Sequence, residues 1–164
     1  MIGYSGSGKT QFILNAIELL RINLNYQTAV IKNIHEHQID KENKDSYKYA
    51  EAGAKFSITK NVYNETTIFL KEKIRIEKLL EWIAYGPYKI DLIFIEGFRN
   101  LDYPTILCAK NLSELESQLT NNVRMISGVI CSKFTHKNKK INIDLPIIDI
   151  QKEFEKFLKI FNIK

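Results

Sequence analysis

Residues Gly3-Tyr4-Ser5-Gly6-Ser7-Gly8-Lys9-Thr10 fit the pattern G-x-x-x-x-G-K-[ST] at every constrained position. The chemistry of that spacing is specific. Glycines let backbone N–H groups turn inward around phosphate oxygens without Cβ clashes. Lys9 brings an ammonium to the β- and γ-phosphate oxygens, and Thr10 offers a hydroxyl to Mg²⁺. An apolar series follows at once, Phe12, Ile13, Ala16, Ile17 and Leu20. Its spacing is helical, so the positive end of a helix points at the same anion. The segment predicts a phosphate-binding loop in which Gly3, Ser5, Gly6, Ser7, Gly8, Lys9, Thr10 and Gln11 hold a nucleoside triphosphate. Lys9 has a second, catalytic role there, neutralising the phosphates.

Such a loop normally follows a buried strand at the centre of a parallel sheet. Only Met1 and Ile2 precede it. The first strand is therefore expected to be missing or shortened, with the natural chain beginning upstream of Met1. The rest of the chain reads as alternating strands and helices. Apolar or β-branched runs at 28–34, 91–96, 105–109, 125–131 and 145–148 predict strands. Residues 45–54 predict a helix with Asp45 or Ser46 as N-cap and Gly53 as its stop. Residues 74–85 predict an amphipathic helix ended by Gly86-Pro87, and 112–119 another, capped by Asn111 or Ser113. A last helix carries Phe154, Phe157, Leu158 and Phe161 on one face. Two short strands, 55–60 and 66–70, flank the turn residues Asn61 to Asn64. The expected architecture is α/β: a three-layer P-loop NTPase-type sheet, mostly parallel with one antiparallel element, and helices on both faces. The whole chain, 1–164, reads as a single nucleotide-binding domain without a linker.

A second acidic position comes from Asp91-Leu92-Ile93-Phe94-Ile95-Glu96-Gly97, an apolar strand ending in Glu and Gly. In P-loop proteins the neighbouring strand carries a carboxylate that holds Mg²⁺ or orients the attacking water. Glu96 fits either role, and Arg99 is placed to reach ligand phosphates. The loop Asn33 to Asp40 should open at the same sheet edge. Its two histidines and two acids are compatible with zinc, while Asp40 suits an outer-shell partner of Mg²⁺. The stretch Gly128 to Lys133 ends in Ser-Lys, a faint guanine-recognition signal with no Asp following at the right distance.

Composition narrows the rest. A net charge of +5 favours phosphate-bearing ligands or acidic partners. The basic residues are scattered apart from Lys133 to Lys140, which argues against nucleic acid as a partner. Two cysteines, Cys108 and Cys131, exclude a disulfide scaffold and read as buried reduced thiols in strands. No apolar stretch approaches the ~18 residues that span a membrane, and no signal peptide precedes the loop motif, so the expected location is cytoplasmic.

Three segments then converge: GYSGSGKT, IKNIHEHQIDKENKDSYKYAEAGA and DLIFIEGFR, in this order and spacing. Together they resemble the molybdopterin-guanine dinucleotide biosynthesis protein B (MobB) family over about residues 3–100. The resemblance implies a dimeric protein that binds GTP with Mg²⁺ and hydrolyses it slowly. It implies a MobA-type guanylyltransferase as partner, with molybdopterin as a further candidate ligand. By position it assigns Gly6, Gly8, Lys9 and Thr10 to phosphate and Mg²⁺, and Glu96 to the γ-phosphate side. The loop from His35 to Asp40 would face nucleotide or partner. The family often carries lysine where Arg99 stands. Two other readings use the same grip: a small-molecule or nucleotide kinase, whose lid would be Lys133 to Lys140, and a binding-only regulator.

Overall fold

A computed structural model describes residues 1–35, 37–40, 42–134 and 144–164. In chain order the elements are α1 (Lys9–Leu24), β1 (Thr28–Lys32), α2 (Asp45–Glu51), β2 (Ser57–Lys60), β3 (Thr66–Phe69), α3 (Ile76–Ala84), β4 (Leu92–Glu96), β5 (Thr105–Cys108), β6 (Val123–Ser127), α4 (Ile130–Phe134) and α5 (Phe154–Ile160). They form two compact units, one from Met1–Asn33 with Lys89–Lys164, the other from Ile34–Tyr88.

The first unit is built on parallel pairing. β1 pairs with β4, from Thr28 opposite Leu92 to Lys32 opposite Glu96. β5 pairs with β6. Met1 and Ile2 lie between the two pairs. The Met1 ammonium donates to the Ile95 carbonyl at 2.6 Å. On the other side Ile2 N–H donates to Ile106 O, and Cys108 N–H returns to Ile2 O. Beyond β6, Ile147 forms a parallel bridge to Ile126. The expected mostly parallel pairing is present, and Ile2 joins it by an isolated parallel bridge to Leu107. The segment expected as a strand at 145–148 contributes the single bridge at Ile147.

Alternation along the strands, shifted once where the β5–β6 register slips between Thr105 and Ile106, sends side chains to two cores. Phe94, Ile106, Cys108 and Met125 join Phe12, Ile13, Ala16 and Leu20 of α1 and Phe157 and Leu158 of α5. On the opposite face Ile2, Leu107, Val123 and Ile126 pack with Leu115, Ile130 and Cys131. Each fully buried side chain of this size contributes ~1.5–3 kcal/mol. Phe12 and Phe157 meet edge to face, with ring centroids 5.9 Å apart, which locks α5 to α1. α1 has no internal Gly or Pro. It ends where Asn25 turns left-handed (φ 53°) and its N–H returns to Arg21 O.

In the second unit β2 and β3 form the antiparallel element, with Ile58 opposite Ile68. Gly53 stops α2 as expected, at φ +100°. The N-cap differs: Lys44 flanks α2 without a side-chain cap, and the Ser46 hydroxyl donates to Asp40 instead.

Two elements of the first unit also depart from expectation. The strand expected at 125–131 is β6 followed by a turn at Gly128 and then α4, so Cys131 is helical. A short apolar run cannot be assigned to strand or helix by periodicity alone. The helix expected at 112–119 is a single 3-10 turn, Leu112–Glu114, although Asn111 caps it by accepting from Glu114 N–H. The Gln118 side-chain amide takes the Glu114 carbonyl at 2.9 Å. Backbone bonds here reach three residues back, from Leu115 N–H to Leu112 O and from Gln118 N–H to Leu115 O. From residue 135 onward, the Lys133 to Lys140 run lies outside the described residues.

Candidate functional site

The chain leaves Ile2 at the carboxyl edge of the parallel strands and turns at once into Gly3–Gly8. Two glycines are dictated by close approach. Gly3 has φ +143°, and a Cβ there would stand 2.2 Å from the Cys108 carbonyl oxygen. Gly128, just past β6, has φ +93°, and its Cβ would stand 2.2 Å from the Ser7 carbonyl oxygen. That carbonyl accepts from Val129 N–H at 3.1 Å. The loop is therefore wedged between the ends of β5 and β6.

Inside it, the Ser7 side chain is fully buried, and its hydroxyl has no hydrogen-bond partner among the described residues. Leaving such a group unpaired costs about 1–3 kcal/mol. The Lys9 ammonium arches back and donates to Gly3 O at 2.9 Å and Tyr4 O at 3.0 Å. α1 starts at Lys9 behind a left-handed Gly8, with no side-chain cap and no acid in its first turn. Its first amides and its dipole are thus available to an anion at the loop. Ser5, Gly6, Thr10 and Gln11 are exposed along this edge, Gln11 donating to Asn15 Oδ1 at 2.9 Å. An unpaired buried hydroxyl, a cradle closed to Cβ atoms, one lysine ammonium resting on loop carbonyls and free helix amides suit a triphosphate, and the Thr10 hydroxyl suits its Mg²⁺.

Glu96 ends β4 and is 5% exposed, with Lys32 Nζ 3.6 Å from its Oε1. The Cys108 thiol lies at the end of β5, where Cys131 and then Lys9, the Met1 ammonium and Glu96 act on it electrostatically. Burial is the larger effect there and pushes that thiol up to about 12. Both cysteines are free and buried, as expected. Arg99 donates to Gln118 Oε1 at 3.0 Å and lies 5.5 Å from the ring centroid of Tyr4, so it sits against the loop rather than apart from it.

Asp40 belongs to the second unit, where it accepts from Ser46 and lines a cavity of about 290 Å³ with Tyr47, Phe69 and Lys71. Among the described residues no group of three or more His, Cys, Asp or Glu side chains could hold a metal ion, so the zinc reading of the His35–His37 loop finds no ligand cluster there.

Lys110 escaped the sequence reading. It follows β5, and its Nζ comes within 3.4 Å of where a Cβ on Gly6 would stand. Its backbone N–H is held by Glu114 Oε2 at 2.9 Å. The signal was its place just beyond the apolar run ending at Ala109, at the edge where open α/β sheets bind ligands.

Residues 1–132 match the family model described as MobB, molybdopterin guanine dinucleotide synthesis protein B. The chain belongs to the MobB family. A MobB relative from Haemophilus influenzae, a molybdopterin-guanine dinucleotide biosynthesis adapter protein, is 31% identical over 153 residues, covering 92% of this chain and 79% of that one. A Methanocaldococcus jannaschii protein carrying that adapter name is 33% identical over 116 residues, covering 68% of this chain. The match spans less than half of that relative's length, 46%. Among solved structures, Bacillus subtilis MobB superposes with a TM-score of 0.72 at 22% identity, over 99% of this chain and 96% of that one. A MobB homologue from Bacillus stearothermophilus gives 0.65 at 16% identity, over 98% and 92%. The MobB fold is thus shared across nearly the whole chain.

Proposed function

We propose that this chain is a GTP-binding adapter of molybdopterin guanine dinucleotide biosynthesis, with slow Mg²⁺-dependent hydrolysis. The observation that carries the nucleotide part is the Gly3–Thr10 loop, with its buried unpaired Ser7 hydroxyl and its Lys9 ammonium resting on loop carbonyls. On binding, Lys9 exchanges those carbonyls for β- and γ-phosphate oxygens. Backbone amides of the loop and of the first turn of α1 hold the phosphates, and Thr10 holds Mg²⁺. Glu96 orients water or the metal shell, with Lys32 keeping its carboxylate in place. Arg99, beside Tyr4, adds positive charge at the loop. No arginine in a recognisable finger context serves the γ-phosphate, which is why turnover is expected to be slow.

The family membership supports the pathway and a MobA-type guanylyltransferase as partner. Molybdopterin is a further ligand to test against the same partner complex. A homodimer is supported by the β2–β3 hairpin, where Phe56, Ile58, Tyr63 and Ile68 are exposed. Among the described residues no helix is long and apolar enough to cross a membrane, and the cytoplasm is the proposed location.

Titration with fluorescent GTP and ATP analogues, each with Mg²⁺, tests the grip. Lys9→Ala is expected to weaken GTP binding by about 10- to 100-fold, the value of hydrogen bonds to a charged group. Equal affinity in the variant and the parent protein would remove the basis for this reading. Retention of a MobA-type partner on the immobilised protein tests the adapter role.

A further inference from the structure

A cavity of about 420 Å³ opens beside the loop, in the size range of small-ligand pockets, ~300–1,000 Å³. Its walls come from three elements: the start of α1 at Gln11 and Asn15, the turn Gly128-Val129 after β6, and the turn Asp149–Lys152 after the Ile147 bridge. These follow, in turn, the parallel bridge at Ile2, β6 and the parallel bridge at Ile147. Gly8 lines the cavity as well as closing the loop, so a ligand anchored by its phosphates can extend into it without a break.

One wall carries a carboxylate. Asp149 Oδ1 accepts from Gln151 N–H at 3.2 Å, and Lys152 Nζ lies 3.3 Å from Oδ2. These contacts fix the group but leave acceptor capacity, since a carboxylate offers about four lone-pair sites. Two oxygens side by side complement two adjacent donors. Guanine presents such an edge, its ring N1–H beside its exocyclic amine. Adenine presents one donor next to a ring nitrogen whose lone pair a carboxylate repels. Ser132 lines the same cavity, so folding brings an acid to the Ser132-Lys133 segment that no nearby residue in sequence supplies.

We propose that this cavity takes the base of the bound nucleotide and that Asp149 selects guanine. This rests on the proposed phosphate grip and adds to it the choice of base.

The test compares Mg²⁺ complexes of GTP, ATP and xanthosine triphosphate, as ribose-labelled fluorescent analogues, on the parent protein, Asp149→Asn and Lys9→Ala. The parent should prefer GTP over ATP by about tenfold or more. Asp149→Asn should lose about 10- to 100-fold in GTP affinity and gain xanthosine triphosphate, because the new amide donates to the carbonyl that replaces the guanine amine. That gain cannot arise from misfolding. If Asp149→Asn binds GTP as the parent does, or gains nothing for the xanthine base, the base assignment is wrong, while loss of all nucleotides in Lys9→Ala would leave the grip standing. If the base preference switches but Lys9→Ala binds normally, the cavity assignment holds and the grip fails. A parent protein that binds none of the three overturns both.

Discussion

Lys110 places a second ammonium against the phosphate loop, beside Gly6. A triphosphate carries more charge than one lysine and one metal ion neutralise. Lys110→Ala should therefore lower the affinity for Mg²⁺-GTP by about tenfold, near the low end for a charged hydrogen bond. Lys110→Arg should retain most of it, and calorimetric titration of both variants checks this. The glycines make a different prediction. Gly128→Ala would push a Cβ into Ser7 O, whereas Gly53, also at positive φ, faces open space. Gly53→Ala should cost only the ~1–2 kcal/mol of the left-handed backbone. Gly128→Ala should cost more and also lower nucleotide affinity, read from melting curves with and without GTP. At this scale the glycine-lysine motif was legible because its chemistry lies within eight consecutive residues. Lys110 was not, since its partner Gly6 is remote in sequence and only the sheet brings them together.

The strands and helices carry their own consequences. α5 holds to α1 through Phe157, which touches Phe12, Phe154 and Phe161. Phe157→Ala should cost about 3–5 kcal/mol in urea unfolding, with nucleotide affinity of the folded fraction unchanged. β5 ends at Cys108, whose thiol is held protonated by burial. In the unfolded chain it ionises near its ordinary value of 9.0. The folded state binds the proton more tightly, so this contribution is intact below about pH 9. It falls by about 1.4 kcal/mol per unit as pH rises from there towards 12. Urea midpoints of the parent and Cys108→Ala between pH 8 and 10.5 should converge as the parent loses it. Long periodic segments such as α1 and the apolar run of β4 were readable directly. The 112–119 and 125–131 segments were not: the first takes three-residue backbone bonds, the second turns at a glycine of positive φ, and neither leaves a periodic trace.

For the whole molecule, the parallel order of strands was inferable from alternation and from the loop motif, and the antiparallel hairpin from its turn residues. The division into two compact units left no mark in composition, since no Pro- or Gly-rich linker separates them. If the hairpin face carries the proposed dimer, Ile58→Lys with Ile68→Lys should give monomers in sedimentation equilibrium under conditions where the parent is dimeric. A dimer that survives both lysines would place the interface elsewhere. The seam between Ser7 and Gly128 has a reach beyond stability. One carbonyl, with the N–H of Val129, joins the phosphate loop to the segment that becomes α4. The atom that crowds position 128 is the backbone carbonyl of Ser7, so no exchange of side chain at 7 makes room for one at 128. A change at 128 will then behave genetically like a lesion in the loop itself, and a smaller residue at 7 should not suppress it.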